Sequence, residues 1–235
     1  MEPSIAERIE IVRETIAQSL QRAGRRPEDV RLMAVTKFVD TARIAEACDA
    51  GITLIGENRA QEFSEKLIFY KQRNLEAHFI GQLQTNKVKY ICGIADMIQS
   101  VNRSALLDAL EQRAARMNVT QSILVQVNIG NEPQKGGIAP EALDAFYDAV
   151  SDRPHMVMRG LMCVPPAGEP ESARPYFRAM RALFAAAQER FGSVDTLSMG
   201  MSHDYPIAIE EGATLVRVGT AIFGARNTQG GTKVC

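Results

Sequence analysis

Eight short apolar runs of strand-like composition alternate with segments of helical period along this chain of 235 residues. The strand-like runs are 31–36, 53–56, 77–81, 97–100, 122–128, 157–162, 196–198 and 214–218. Between them lie apolar stripes such as Leu143, Phe146, Tyr147 and Val150, a spacing typical of the core-facing side of a helix. Repeated strand–helix units favour a parallel sheet with right-handed crossovers. Eight units in about 250 residues predict a single α/β domain, a closed (β/α)8 barrel of TIM type, with an open doubly wound sheet as the alternative.

The N-terminal segment predicts an additional helix outside the repeat. Its apolar residues share one helical face: Ile5, Ile9, Val12, Ile16 and Leu20. Apolar residues make up 46% of the chain, which is enough for a sizeable core. We therefore expect one domain over residues 1–235, with the extra helix within 1–24 and a short tail over 227–235.

Composition and net charge limit the binding partners and the cellular compartment that we expect for this chain. A net charge of −1 gives no sign of nucleic-acid or membrane-surface binding, and no apolar stretch approaches the roughly 20 residues of a membrane span. The N-terminus lacks the apolar region of a secretory signal. Four scattered cysteines without a CxxC pair indicate a reduced, cytoplasmic protein, and we expect a monomer. The histidines have no metal-ligand spacing with the cysteines, so we expect no metal site.

Lys37 closes the first strand-like run, 31–37, and a predicted helix follows it from Asp40. In a barrel, the C-terminal ends of the strands form the ligand-binding face. A partly desolvated lysine there can lose its proton and attack a carbonyl carbon to form a Schiff base. On position alone, a solvated lysine in a βα loop is the favoured explanation of Lys37, and the rest of the chain reverses this preference.

The loops after the last two strands carry residues suited to an anion. Phosphate sites in barrels usually follow strands 7 and 8, at a helix N-terminus. Ser198 to Ser202 supply hydroxyl groups and a glycine, and Gly219 and Thr220 follow the last strand, with Thr220 expected to cap the final helix. Ordinary turn and cap chemistry explains either loop alone. Both loops opposite a lysine predict a phosphorylated aldehyde, which is pyridoxal 5'-phosphate (PLP).

Arg217 lies two residues before Gly219. If it faces the ring nitrogen of PLP, its permanent charge disfavours the pyridinium form, and the cofactor then stabilises carbanions less well. Such a site suits holding PLP or mild chemistry. The alternative for Arg217 is an ion pair with Glu210 or Glu211.

These residues closely resemble the pyridoxal phosphate homeostasis protein family, of the YggS/PROSC type, over about residues 30–226. The matching motifs are AVTK (34–37), GENR (56–59), HFIGQLQTNK (78–87), SVN (100–102), VN (127–128), KG (135–136), GLM (160–162), LSMGMS (197–202), VRVGT (216–220) and FG (223–224). One departure is the apolar stretch Tyr205-Pro206-Ile207, where relatives are more polar. Its proline restricts where the helix after Ser202 begins.

The resemblance implies a barrel like the N-terminal domain of alanine racemase, with PLP on Lys37. It implies phosphate contacts from Ser202, Gly219 and Thr220. It also implies that Arg217 lies near the pyridine nitrogen and that Asn58 lines the pocket.

The resemblance further implies a role in PLP homeostasis, in which the cofactor is held, buffered or delivered to PLP-dependent apoenzymes, with no catalytic residue assigned. An enzyme of the alternative class, a PLP-dependent amino-acid racemase, needs a proton acceptor on each face of the substrate. Lys37 supplies one, and only Tyr205 lies close in sequence to the phosphate loop. A third possibility is an adaptor that docks on an apoenzyme under the control of PLP.

Overall fold

The computed structural model of this protein describes residues 2–132 and 135–225. The strands are β1 Arg31–Val35, β2 Leu54–Glu57, β3 Glu76–Phe79, β4 Met97–Val101, β5 Gln121–Val127, β6 Met156–Cys163, β7 Thr196–Ser198 and β8 Leu215–Val218. The helices are α1 Ile5–Arg22, α2 Thr41–Asp49, α3 Ala60–Gln72, α4 Ser104–Met117, α5 Leu143–Ser151, α6 Arg174–Arg190, α7 Tyr205–Glu210 and α8 Thr220–Phe223. The predicted tail over 227–235 lies outside the described residues.

The sheet closes on itself, which confirms the predicted barrel and excludes the open sheet. Each strand pairs in parallel with the next, and β8 returns to pair with β1, with Arg31 opposite Leu215 and Ala34 opposite Val218. All eight predicted strands are present, with ends shifted by one or two residues. The connection from β3 to β4 is a 3-10 helix over Thr85–Tyr90 in place of a regular α-helix.

Two small apolar clusters fill part of the barrel interior. Their buried members are Met33, Leu54 and Leu215 in one cluster, and Met97, Leu124 and Met162 in the other. The much larger core lies between the sheet and the helices. Side chains alternate across a strand, so residues in step with these positions also face inward. The same alternation directs Arg217 of β8 toward the barrel axis and, continued past the strand ends, does the same for Lys37 and Asn58.

The N-terminal helix belongs to the layer of helices around the barrel. All five residues of its predicted apolar face are buried, and α1 packs against α2, α7 and α8. Ser4 begins the helix with a capping box, because its hydroxyl accepts from the Glu7 N–H and the Glu7 carboxylate accepts from the Ser4 N–H. The helix therefore runs from a defined start near the C-terminal rim of the barrel.

Helix α7 shows how the unusual stretch after Ser202 is accommodated. It begins at Tyr205, and Pro206 lies in its first turn, where the missing N–H leaves no helical hydrogen bond unmade. Tyr205 and Ile207 are buried against the core. Among the described helices, none has the length and apolar content that crossing a bilayer requires.

Candidate functional site

Lys37 lies just beyond β1, at the C-terminal rim of the barrel, and is half-buried. The Thr36 N–H donates to the Gly56 carbonyl at 3.0 Å, so the sheet pairing extends to the residue before the lysine. After it, Phe38 adopts the left-handed conformation, with φ of 61°. The Phe38 N–H donates to Glu62 Oε2 at 2.8 Å. The lysine is thus fixed on both sides by backbone hydrogen bonds.

Lys37 shares an open cavity with the loop after β8. The cavity measures about 1060 Å³, and Lys37, Gly219 and Thr220 are among its lining residues. Pro3 and Ser4, which precede α1, form part of another wall. The strand-end lysine and one of the two predicted anion-binding loops therefore face the same space.

Ser202 joins the second predicted loop to this site. Its Oγ accepts from the Gly219 N–H at 3.2 Å and from the Ala221 N–H at 3.4 Å. Gly200 bends the loop with φ of +90°, and a Cβ there would lie 2.6 Å from the Ala208 Cβ. A residue with a side chain is therefore excluded from position 200.

Asp204 holds the other end of the Ser202 loop. Its Oδ1 accepts from the Met201 N–H at 2.6 Å. Burial raises the pKa of the Asp204 carboxyl above its ordinary value. This residue gave no functional signal in the sequence, and its contact makes it a support for the loop.

The expected capping role of Thr220 is wrong. Gly219 occupies the N-cap position of α8, and Thr220 is the first helical residue, so its side chain does not cap the helix. Thr220 nevertheless lines the cavity, with its side chain exposed.

Arg217 is 4% exposed, and its guanidinium is held by neutral groups. Nη1 donates to Ser198 Oγ at 2.6 Å and Nη2 donates to the Cys163 carbonyl oxygen at 2.8 Å. Burial lowers the pKa of Arg217 from its ordinary value. No ion pair forms between Arg217 and a carboxylate of the described residues.

The alternative for Arg217, an ion pair with Glu210 or Glu211, is wrong. Glu210 pairs with Arg22 and Arg174 on the outside of the barrel. Glu211 pairs with Arg174 and Arg178. These acidic residues follow β7 on α7 and its end, whereas Arg217 points inward from β8.

Asn58 follows β2 on the inward side. Its Oδ1 is buried and has no hydrogen-bond partner within the described part of the chain. Its backbone carbonyl lies so close to Gly81 that a Cβ there would be 2.0 Å from the oxygen. The side-chain oxygen Oδ1 of Asn58 is therefore a hydrogen-bond acceptor at the rim, and the tight packing of the Asn58 backbone against Gly81 limits its movement.

Comparison with known proteins adds to this geometry. Residues 11–227 match the family described as alanine racemase, N-terminal domain. The chain is 44% identical over 222 residues to a pyridoxal phosphate homeostasis protein of Aquifex aeolicus, covering 94% of this chain and 97% of that one. It is 40% identical over 229 residues to one of Escherichia coli K12, covering 95% and 97%.

The chain belongs to the pyridoxal phosphate homeostasis protein family. Among solved structures, PipY of Synechococcus elongatus with PLP bound superposes with a TM-score of 0.76 at 33% identity, covering 89% of this chain and all of that one. The resemblance proposed from the sequence motifs is therefore confirmed, as is the relation to the alanine racemase barrel.

In this member of the pyridoxal phosphate homeostasis protein family, neighbouring side chains of the motif at positions 56–58 lie on opposite faces of the sheet. Asn58 faces inward, whereas the Glu57 side chain contacts α3 and is fully buried. Glu57 Oε1 accepts from Thr36 Oγ1 at 2.8 Å, from Lys66 Nζ at 2.8 Å and from Tyr70 Oη at 2.9 Å. Its Oε2 has no hydrogen-bond partner among the residues described.

Lys66 connects this buried carboxylate to the turn that carries Lys37. Its Nζ also donates to the Thr36 carbonyl oxygen at 3.0 Å and lies 3.4 Å from Glu62 Oε2. Glu62 and Lys66 therefore contact the backbone on the two sides of Lys37, through Phe38 and Thr36. Sequence reasoning missed Lys66, Tyr70 and Glu62; the available signal was an acidic residue, Glu57, directly after an apolar strand-like run.

Replacing Lys66 with methionine is expected to destabilise the protein by about 3–5 kcal/mol, because the fully buried Glu57 carboxylate loses its cation. The side chain of Lys66 is 11% exposed. Urea unfolding of the two forms measures this difference. The matched control is Lys71→Met on the same helix, where the lysine is exposed and the change should stay within about 0.5 kcal/mol. Equal, small losses for both variants would show that the Glu57–Lys66 pair does not anchor the turn.

Proposed function

We propose that this protein binds PLP in the cavity at the C-terminal rim of the barrel and holds it as a Schiff base on Lys37. The observation that carries the proposal is that Lys37, Gly219 and Thr220 line one cavity. The PLP bound in PipY, at 33% identity, supports the choice of cofactor. Bound PLP supplies an aldehyde that condenses with an amine, with loss of water, and a ring that withdraws electrons.

Ser202, Gly219 and Thr220 are proposed to hold the phosphate. Ser202 Oγ accepts from the Gly219 and Ala221 N–H groups, so its own proton can be donated to an anion. The backbone N–H groups around Gly219 belong to the first turn of α8, and such groups favour negative charge. Hydroxyl and amide donors around one point suit the several acceptor oxygens of a phosphate.

Arg217 and Asn58 are proposed to contact the ring end of the cofactor. Arg217 donates two of its five N–H groups to Ser198 and Cys163, which leaves others for an acceptor at the rim. A guanidinium beside the pyridine nitrogen keeps that nitrogen unprotonated, because two adjacent positive charges repel. The unpartnered amide oxygen of Asn58 supports its placement in the pocket wall.

These electrostatics favour storage over catalysis. Transformations of amino acids by PLP depend on the ring to stabilise a carbanion, and an unprotonated ring does this less well. We infer that the protein buffers PLP and delivers it to PLP-dependent apoenzymes, acting as a cytoplasmic monomer without appreciable amino-acid turnover. Release requires only that another amine displaces Lys37.

Borohydride reduction of the PLP-loaded protein is expected to fix the cofactor to the peptide that contains Lys37. Lys37→Ala should abolish this label, because the amine is lost. Lys135→Ala is the matched control, since Lys135 Nζ contacts the Pro165 carbonyl at 2.6 Å and does not carry the cofactor in this proposal. Peptide mass spectrometry reads out the site. A label on Lys87 or Lys135 in the unmodified protein would contradict the assignment.

Ser202→Ala is expected to weaken PLP binding by about 1.5–3 kcal/mol, the usual loss when a hydrogen bond to a charged group is removed. This corresponds to roughly a tenfold to hundredfold lower affinity. Pyridoxal, which lacks the phosphate, should lose much less affinity. Titration of both ligands against both proteins measures the difference. If the two ligands lose affinity equally, Ser202 does not contact the phosphate.

The loaded protein is expected to restore activity to a PLP-dependent apoenzyme while turning over no amino acid itself. Incubation with L-alanine should give no racemisation or transamination above that of free PLP, as followed by chiral chromatography. The Lys37→Ala variant, which cannot hold PLP as a Schiff base, is the control for the transfer of PLP to the apoenzyme. Turnover near 1 s⁻¹ or faster, an ordinary enzymatic rate, would contradict the carrier proposal and favour the racemase alternative.

A further inference from the structure

A chain of hydrogen bonds crosses the inside of the barrel from Arg217 to its opposite end. Ser198, which accepts from Arg217, donates to Gln99 Oε1 at 2.7 Å. Gln99 Nε2 lies 2.8 Å from His78 Nδ1, and His78 Nε2 lies 2.8 Å from Glu76 Oε1. Ser198 is on β7 and Gln99 on β4, which are not neighbours in the sheet. Their hydrogen bond therefore passes through the interior.

The directions of the bonds in this chain follow from the contact between Ser198 and Gln99. An arginine only donates, so the Ser198 oxygen accepts from it, and the Ser198 hydroxyl donates to Gln99 Oε1. Gln99 receives that proton on its oxygen and thus turns its NH2 group to His78. His78 Nδ1 must then accept, so the ring proton is on Nε2 and points at the Glu76 carboxylate.

The aligned chain links a buried cation to a remote anion. Ser198, Gln99 and His78 are each at most 1% exposed. Each presents a lone pair toward Arg217 and a proton toward Glu76, so their dipoles stabilise both charges. Glu76 also forms an ion pair with Arg31, at 2.5 Å. The hydrogen bond from His78 and the pairing with Arg31 lower the pKa of Glu76 to about 2.

This arrangement explains how Arg217 is buried with no carboxylate of the described residues in hydrogen-bond contact. A carboxylate in direct contact would take the N–H groups that face the rim, and would place a negative charge beside any ligand there. The guanidinium instead donates to neutral groups, Ser198 Oγ and the Cys163 carbonyl oxygen, and its other N–H groups are available to a ligand. Met33, which is opposite Arg217 in the pairing of β1 with β8, is apolar and belongs to an interior cluster.

We propose that His78 and Gln99, acting through Ser198, are positioning residues for PLP: they hold the Arg217 guanidinium in the orientation in which it contacts the ring nitrogen. This inference rests on the proposed function, and assigns to the interior of the barrel a part in cofactor binding. Neither Gln99 nor His78 contacts the cofactor in this proposal. Their effect is carried by the order and direction of the hydrogen bonds.

The test compares PLP with its 1-deaza analogue, in which C–H replaces the ring nitrogen, as ligands for Ser198→Ala and Gln99→Met. Ser198→Ala should lower the affinity for PLP about tenfold to a hundredfold, as expected for a lost hydrogen bond to a charged group. Gln99→Met should lower it about tenfold. The deaza analogue should lose little in either variant, because it has no nitrogen for Arg217 to contact.

Ser100→Ala is the matched control. Ser100 neighbours Gln99 on β4, is 1% exposed, and its Oγ has no hydrogen-bond partner among the described residues. Loss of this hydroxyl should change neither affinity. If Ser198→Ala weakens PLP and the deaza analogue equally, or no more than Ser100→Ala does, the positioning role is overturned. If the unmodified protein binds neither ligand, the proposed function itself fails.

A second measurement does not depend on PLP or on a variant that folds. Nitrogen-15 NMR of the unmodified protein should show that His78 carries a proton on Nε2 and accepts a hydrogen bond at Nδ1. A proton on Nδ1 would reverse the direction of the bond to Gln99 and would overturn the inference. The Nε2–H tautomer, together with the ligand-selective loss in Ser198→Ala, supports it.

Discussion

The parallel pairing of β1 with β8 is the constraint on which the rest of the site depends. It joins the first and last strands of the barrel, with Ala34 opposite Val218. Just beyond the two strand ends, Lys37 after β1 and Gly219 after β8 line the same cavity. An amine and a set of backbone N–H groups from opposite ends of the sequence thus become neighbours, and the closure of the sheet fixes their separation.

Two sets of buried polar contacts hold this rim from different sides. Outside the sheet, Glu57 and Lys66 tie α3 to the turn around Lys37. Inside it, Gln99 and Ser198 connect β4 and β7 to Arg217. Buried polar groups are costly unless they are paired, so each set has few alternative arrangements. A site that must hold a small, charged ligand benefits from supports that cannot easily rearrange.

Sequence alone predicted the barrel because its signal is periodic and local. Strand-like runs and helical stripes repeat along the chain, and right-handed crossovers leave few ways to arrange them. The predicted positions of Lys37 and Gly219 followed from the same rule, since strand ends meet on one face. The N-terminal helix could be predicted in the same way, because the spacing of five apolar residues identifies its buried face.

The support around the site could not be predicted in the same way. Ser198 and Gln99 are 99 positions apart, and no local pattern specifies that they meet across the barrel. Two glutamates, Glu210 and Glu211, lie shortly before Arg217 in the sequence, but strand alternation turns Arg217 inward while they stay outside at the end of α7. Thr220 was misjudged because a shift of one residue in the start of α8 gives the cap to Gly219.

The burial of Arg217 also links the stability of the folded protein to the ligand that it binds in the proposed function. A permanent charge 4% exposed to solvent donates here to neutral groups, with no carboxylate in an ion pair among the described residues, and neutral groups are an incomplete substitute for a counter-ion. In the proposed function, bound PLP gives Arg217 an acceptor, the ring nitrogen, and its phosphate brings negative charge into the same site. Because anything that binds only the folded chain raises its stability by mass action, the amount of folded protein would rise and fall with the supply of PLP. In the proposed function, the protein would therefore store PLP and would also respond to the PLP concentration through its own folded amount.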